Sequence, residues 1–203
     1  MLPEIMASHW DAVGGVNGYC PAFLGAFLIP ILSVVLFLLF LAIPRIDPLQ
    51  ANIEAFKKDY YRFIFVMILF LFIVHAQSLL WNLGTQISFN LTVPLLLGGL
   101  FFYVGDLLGK VKRNWFIGIR TPWTLSSDEV WDRTHRFGEW LFKAVGILSV
   151  LSVLLPTGAI MVVVVLIIAA AIATCVYSYF VFRDLLQDTK QKAQLRGKKR
   201  LKE

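Results

Sequence analysis

Apolar residues dominate five long stretches of the chain: Phe23 to Ile43, Phe63 to Leu80, Ile87 to Leu108, Trp140 to Leu155 and Ile160 to Phe182. About 20 apolar residues in helical form cross a hydrocarbon core of ~30 Å, so four of these stretches have the length of a transmembrane helix. The fourth stretch in chain order is short, and an amphipathic lead-in extends it backwards. Helices rather than barrel strands are expected, because the runs are continuous and lack the period-two alternation of a lipid-facing strand. The connection from Trp81 to Gln86 predicts a tight hairpin, and Pro156-Thr157-Gly158 breaks the chain between the last two helices. The pattern therefore predicts an all-α polytopic membrane helix bundle. Its parts are an N-terminal module (1–22), transmembrane helices one to three (23–108), a loop with an interfacial amphipathic helix (109–139), helices four and five (140–182) and a basic tail (183–203).

Composition points the same way. The chain is 58% hydrophobic and only 16% charged, with mean hydropathy +0.73, whereas a soluble domain is about half apolar and a quarter charged. Five buried core helices would leave too few of the 203 residues for a polar shell. Charge then sets orientation. Residues 1–22, 81–86 and 156–159 contain no Lys or Arg, and all 19 basic residues lie in the alternate connections, in the tail or, as with Lys143, one turn into the fourth span. This positive-inside pattern predicts a multi-pass cell-membrane protein with its N-terminus outside and its C-terminus in the cytoplasm.

The net charge of +6 does not imply direct nucleic-acid binding, because the basic residues sit at membrane exits and no nucleic-acid motif accompanies them. The tail from Lys190 to Lys202 reads as a solvated segment drawn to the anionic headgroups of the lipid bilayer, at about 1 kcal/mol per basic residue. No cleaved signal is expected, since residues 1–22 lack a basic leader and the first span is too long. Cys20 lies at the outer boundary and Cys175 deep in the last span, so the two are expected to stay unpaired as small apolar fillers.

Two polar segments carry more specific information. The outer module contains Pro3, His9-Trp10 and Gly14-Gly15-Val16-Asn17-Gly18-Tyr19; its glycines favour tight turns folded back on the bilayer surface, and Trp10 and Tyr19 suit an interfacial belt. His9 reads as a hydrogen-bonded interfacial histidine rather than a metal ligand, having no second His, Cys or carboxylate cluster beside it. The cytoplasmic loop reads Trp115-Phe116-Ile117-Gly118-Ile119-Arg120-Thr121-Pro122-Trp123-Thr124-Leu125. Pro122 biases Thr121 to an extended conformation, and Ser126 with Glu129 forms a capping box from which a helix should start. On that helix Val130, Trp131, Thr134, Phe137 and Leu141 mark an apolar face. Asp128, Asp132, His135, Arg136 and Glu139 mark a polar one, with (i, i+4) pairs Glu129–Arg133 and Asp132–Arg136. The guanidinium of Arg120 is suited to bind a carboxylate bidentately or to stack on an indole.

The loop string, followed by Val130-Trp131 and His135-Arg136-Phe137-Gly138, resembles the signature of the SdpI family of bacterial and archaeal membrane proteins. Leu2-Pro3, His9-Trp10 and Gly18-Tyr19 resemble the extracellular module of unknown function that accompanies that signature. The resemblance covers nearly the whole chain. It implies a noncatalytic protein giving immunity to a secreted antimicrobial peptide toxin, and a signal relay that holds a transcriptional repressor at the membrane. Two features depart from the family pattern: the span that usually precedes the Leu-Pro motif is absent, and Ala7 stands where a proline is frequent.

His75, Ser78 and Asn82, with Gln77 nearby, form a polar stripe inside the second span. Polar groups at that depth point to a functional site or to interhelical hydrogen bonding. The alternative to the immunity reading is a small transporter or channel, against which stand the lack of an inverted repeat and of a chain of intramembrane carboxylates. An enzyme is not expected, nor is a cofactor or catalytic metal: there is no nucleophile elbow, metal-ligand cluster or Gly-rich phosphate loop.

Overall fold

The computed structural model describes residues 2–11, 13–155 and 157–200. The chain opens with two antiparallel strands, β1 (Ile5–Trp10) and β2 (Val16–Pro21). Helices α1 (Ala22–Ile46), α2 (Gln50–Ala55), α3 (Lys57–Asn82), α4 (Phe89–Leu108), α5 (Pro122–Ser126), α6 (Asp128–Leu151) and α7 (Ala159–Arg200) follow, with a 3-10 turn, Ser152–Leu154, closing α6. Among the described residues five helices, α1, α3, α4, α6 with its 3-10 turn, and α7, are long and apolar enough to cross a membrane. The expected bundle of five spans is present. Pro156 and Lys202, named above for the last break and the tail, lie outside the described residues.

Three features differ from the sequence expectation. The N-terminal module is a β-hairpin rather than a run of turns. Asp11 closes it: its carboxylate accepts from the N–H groups of Val13 and Gly15 at 3.0 and 2.8 Å, while Gly14 takes φ +91°. The amphipathic lead-in forms the first turns of α6 and runs without a break into the span, as expected, but it is capped differently. Its N-cap is Ser127, whose hydroxyl accepts from Val130 N. The Ser126–Glu129 box does not form, because Ser126 donates to the Trp123 carbonyl and Glu129 pairs with Arg133. Finally, α7 continues for 42 residues, a length of ~63 Å that is twice the hydrocarbon thickness, so the tail extends the last span as a helix through Arg200.

Packing is tightest between α4 and α6. A Cβ on Gly98 would stand 2.8 Å from the Gly146 carbonyl oxygen, and one on Gly146 would stand 2.6 Å from that of Gly98. Lipid tails compete with any apolar side chain, so close backbone contact through small residues is what holds membrane helices together. By contrast α1 is mostly exposed, with Ile43 its one buried residue among those described. It is tied to α3 by chemistry that its own sequence creates. Pro44 has no N–H, which leaves the Phe40 carbonyl without its helical partner; the Tyr60 hydroxyl of α3 donates to that oxygen at 2.7 Å.

At the same end a charge ladder crosses three helices. Asp59 of α3 receives Arg62 and Lys110 at 3.4 and 3.0 Å, Asp106 of α4 receives Lys110 and Lys143 at 2.8 and 3.5 Å, and Glu139 of α6 receives Lys143 at 2.6 Å. Signs alternate along it, so the cost of placing charge beside hydrocarbon is offset pair by pair. The hydrogen bonds to Asp106 and then to Asp59 hold the Lys110 ammonium above the ordinary lysine pKa.

Candidate functional site: the buckled loop at the basic end

Residues 109–127 connect α4 to α6 and form a knot built on one buried side chain. Asn114 is fully buried. Its oxygen accepts from Phe116 N and Ile117 N at 2.9 and 2.6 Å, while its amide donates to the Lys112 and Ile117 carbonyls at 2.8 and 2.9 Å. A short polar residue bonding its own neighbouring backbone is the usual means of bending a chain without secondary structure.

The knot is then fastened to the bundle from several sides. Asp47, fully buried just past the end of α1, accepts from Trp115 N at 2.8 Å and from Leu49 N at 2.7 Å. Asn52 of α2 donates to the Arg113 carbonyl at 2.7 Å. Arg113 donates to Asp128 at 2.7 Å and to the Leu125 carbonyl at 2.8 Å, bridging the end of α5 and the start of α6. Beneath the loop, Trp131 donates its indole N–H to the Val111 carbonyl at 2.9 Å and packs with Ile43, Ile53, Phe56, Tyr60 and Leu107 in a common core.

His135 completes the knot, and here the polar-face assignment is corrected. The residue is buried, and its ring stacks on Trp131 with centroids 3.9 Å apart. Ile119 N donates to Nε2 at 3.0 Å, so Nε2 carries no proton and the bond of 2.8 Å between Nδ1 and the Trp131 carbonyl is donated by Nδ1–H. The helical period places residues 131 and 135 one above the other, and the stacked indole draws the imidazole inward. Gly118 is where the loop crosses the ring, at φ +111°, and a Cβ there would overlap His135 Nε2.

On the other side of the knot, Thr121 is extended, as Pro122 requires, and caps α5 reciprocally with Thr124. Its hydroxyl meets Ser178 of α7 at 3.1 Å. Trp123 lies edge-on against Tyr179 of α7, with centroids 5.3 Å apart. The signature residues therefore divide in two. Thr121, Thr124, Trp131 and His135 form the interior that sets the loop's shape, and Gly118, itself exposed, crosses over the His135 ring. Trp115, 51% exposed, is joined at the surface by Phe116, Pro122, Glu129 and Arg120. Arg120 neither grips a carboxylate nor stacks; it donates to the Trp115 carbonyl at 2.7 Å. Of the two helical pairs expected, Glu129–Arg133 forms at 2.6 Å, and Asp132–Arg136 does not.

The two other groups of singled-out residues meet at the opposite end of the bundle. Asn82 does not face a cavity. Its side chain pairs with the Ala7 backbone, accepting from Ala7 N at 2.7 Å and donating to Ala7 O at 3.0 Å, and it also donates to the Ser78 carbonyl at 2.9 Å. Asn82 thus clamps the outer edge of β1. Gln77 donates to the Ile87 carbonyl at 3.1 Å and accepts from Thr92 at 2.6 Å, closing the α3–α4 turn. His75 is buried on α3, and its Nδ1 has no hydrogen-bond partner among the described residues. Trp10 stacks on Phe89 at 3.9 Å and lies edge-on to Trp81 at 5.7 Å. Tyr19 and Pro3 are exposed, Gly18 lies against the His9 ring, and His9 bonds Ser8 at 3.0 Å. Among the described residues no group of three or more His, Cys, Asp or Glu stands close enough to hold a metal ion.

Sequence reasoning missed the residues that fix the loop: Asp47, Asn52, Arg113 and Asn114. Asn114 carried a signal, a polar residue immediately before an aromatic run at a chain reversal. Asp47 and Asn52 carried none, because their partners lie more than sixty residues away in the chain.

Comparison with known proteins bears on this same loop. Residues 110–178 match the model of the SdpI/YfhL protein family, and residues 1–34 match a domain of unknown function, DUF1648. The chain is 28% identical over 190 residues to the Immunity protein SdpI of Bacillus subtilis (strain 168), covering 91% of this chain and 86% of that protein. No solved structure matches. The chain is a multi-pass membrane protein whose buckled loop, with the two helices after it, is similar to the SdpI/YfhL family.

Proposed function

We propose that this protein is a noncatalytic membrane immunity protein that protects the cell carrying it against a secreted antimicrobial peptide. In this reading the hairpin end faces outward and the basic end faces the cytoplasm, where the exposed part of the loop holds a transcriptional repressor as a signal relay. The observation that carries the reading is the likeness of 91% of the chain to a protein named for immunity. The orientation is supported by the charges, since the loop, the tail, the end of α1 and the first turns of α3 and α6 hold the basic residues and the hairpin holds none. The loop's buried polar groups are bonded to one another and to backbone, which makes it a rigid platform. Its outward side chains, Trp115, Phe116 and Arg120, are of the kinds that anchor protein contacts.

The test is deletion of the gene followed by challenge with peptides secreted by the same and neighbouring strains. Deletion should sensitise the cells, and the wild-type gene should restore survival. Unchanged survival across a wide panel would overturn the immunity reading. The relay is tested separately with Arg120→Lys. A lysine also reaches the Trp115 carbonyl, so membrane abundance should hold while signalling falls; full signalling at normal abundance would remove Arg120 from the partner surface.

A further inference from the structure

The first turns of α6 and Tyr177 of α7 border an open groove of about 730 Å³. Its charged wall is uneven. Asp128 is engaged by Arg113, and Glu129 by Arg133. Asp132 and Arg136, one turn apart and both exposed, make no ion pair among the described residues. The groove floor is aromatic: Phe137 and Tyr177 stack with centroids 4.4 Å apart and planes 27° apart. At the end nearest the apolar part of α6 stands Trp140, 71% exposed. The groove therefore runs from an unneutralised carboxylate and guanidinium to an indole at the point where the helix becomes hydrocarbon-facing. Tryptophan prefers that boundary because its ring is apolar and its N–H is polar.

We infer that this groove is a binding site for a single phospholipid with a zwitterionic, primary-amine headgroup, of the phosphatidylethanolamine class. Arg136 receives the phosphate, for which the planar guanidinium offers two parallel donors. Asp132 receives the ammonium, whose three N–H groups each need an acceptor away from bulk water. The acyl chains descend past Trp140 along the α6–α7 surface. Charge complementarity selects this lipid over others. An anionic headgroup satisfies Arg136 but leaves the Asp132 carboxylate facing negative charge. A trimethylated ammonium keeps its charge but has no N–H to donate. The site is independent of the immunity reading, and either stands if the other fails.

The experiment is native mass spectrometry of the full-length protein in detergent, titrated with dioleoyl phosphatidylethanolamine, phosphatidylglycerol or phosphatidylcholine. The wild type should retain the ethanolamine lipid about tenfold more tightly than either of the others, the size expected for one charge-assisted pair. Asp132→Asn should abolish that preference, and Arg136→Gln should weaken retention of all three lipids. Both side chains are exposed, so the melting temperatures of the lipid-free variants should match the wild type. Equal retention of the three lipids by the wild type, or a preference for phosphatidylglycerol, overturns the inference without reference to any variant. So does an ethanolamine preference that survives both substitutions. Displacement of the lipid by soluble glycerophosphoethanolamine at equal concentration would show that the groove reads a free headgroup, and would overturn the assignment to a lipid.

Discussion

Gly118 and Gly84 provide a matched pair that separates backbone strain from the packing of the loop against His135. Both have a positive φ, +111° and +100°. A Cβ added at Gly84, in the α3–α4 turn, would meet nothing within 4 Å, whereas one at Gly118 would overlap His135 Nε2. Gly84→Ala should therefore cost only the left-handed strain, about 1–2 kcal/mol. Gly118→Ala should cost the same strain plus displacement of the imidazole, which strips the 3.0 Å bond from Ile119 N and leaves a buried donor unpaired, a further ~1–3 kcal/mol. The expected total at Gly118 is thus about 2–5 kcal/mol. Both are measured by equilibrium unfolding of the purified protein in mixed micelles, followed by tryptophan fluorescence. His135→Ala provides the cross-check: in its background Gly118→Ala should cost less by about 1 kcal/mol or more, because the clash is gone. Equal destabilisation by Gly84→Ala and Gly118→Ala, with no coupling to His135, would refute the argument that the loop is locked on this ring.

Asn82→Leu should release the hairpin from α3 while leaving the spans intact. Backbone amides of β1 should then exchange with solvent about tenfold faster or more by hydrogen–deuterium exchange, corresponding to loss of two hydrogen bonds; unchanged protection would mean that Met6 and Trp10 suffice to hold it. Tyr60→Phe should cost about 1–3 kcal/mol by stranding the Phe40 carbonyl. Adding Pro44→Ala should recover most of this, because it returns an N–H to that oxygen; additive effects in the same unfolding assay would count against the pairing. For topology, single cysteines at Ser8 and Thr157 in a Cys20→Ser background should react with an impermeant thiol reagent on intact cells. Those at Ser127 and Lys192 should not, and labelling at Ser127 from outside would reverse the proposed orientation.

Hydropathy alone determined the five spans, because a hydrocarbon solvent imposes a length and an apolar composition that few other environments demand. Proline and glycine chemistry located the break at Thr157-Gly158 and the extended Thr121 before Pro122, which depend on neighbouring residues only. The buried face of α6 at Val130, Trp131 and Thr134 followed from the helical period. What local pattern could not determine was partnership. Whether His135 joins the polar or the buried face depends on the Trp131 ring above it and on Ile119 N, which the loop delivers from another direction. Asn82 reads as an intramembrane polar residue until the hairpin supplies the Ala7 backbone that uses both its donor and its acceptor. The hairpin itself was hidden because β1 reads Ile-Met-Ala-Ser-His-Trp, with no clean alternation, and takes its register from Asp11, Asn82 and the surface of α1. The loop's shape belongs to Asp47, Asn52 and Asn114. Asn114 bends the chain locally, but the bonds of Asp47 and Asn52 join segments distant in sequence, and only the packed bundle brings those segments within reach.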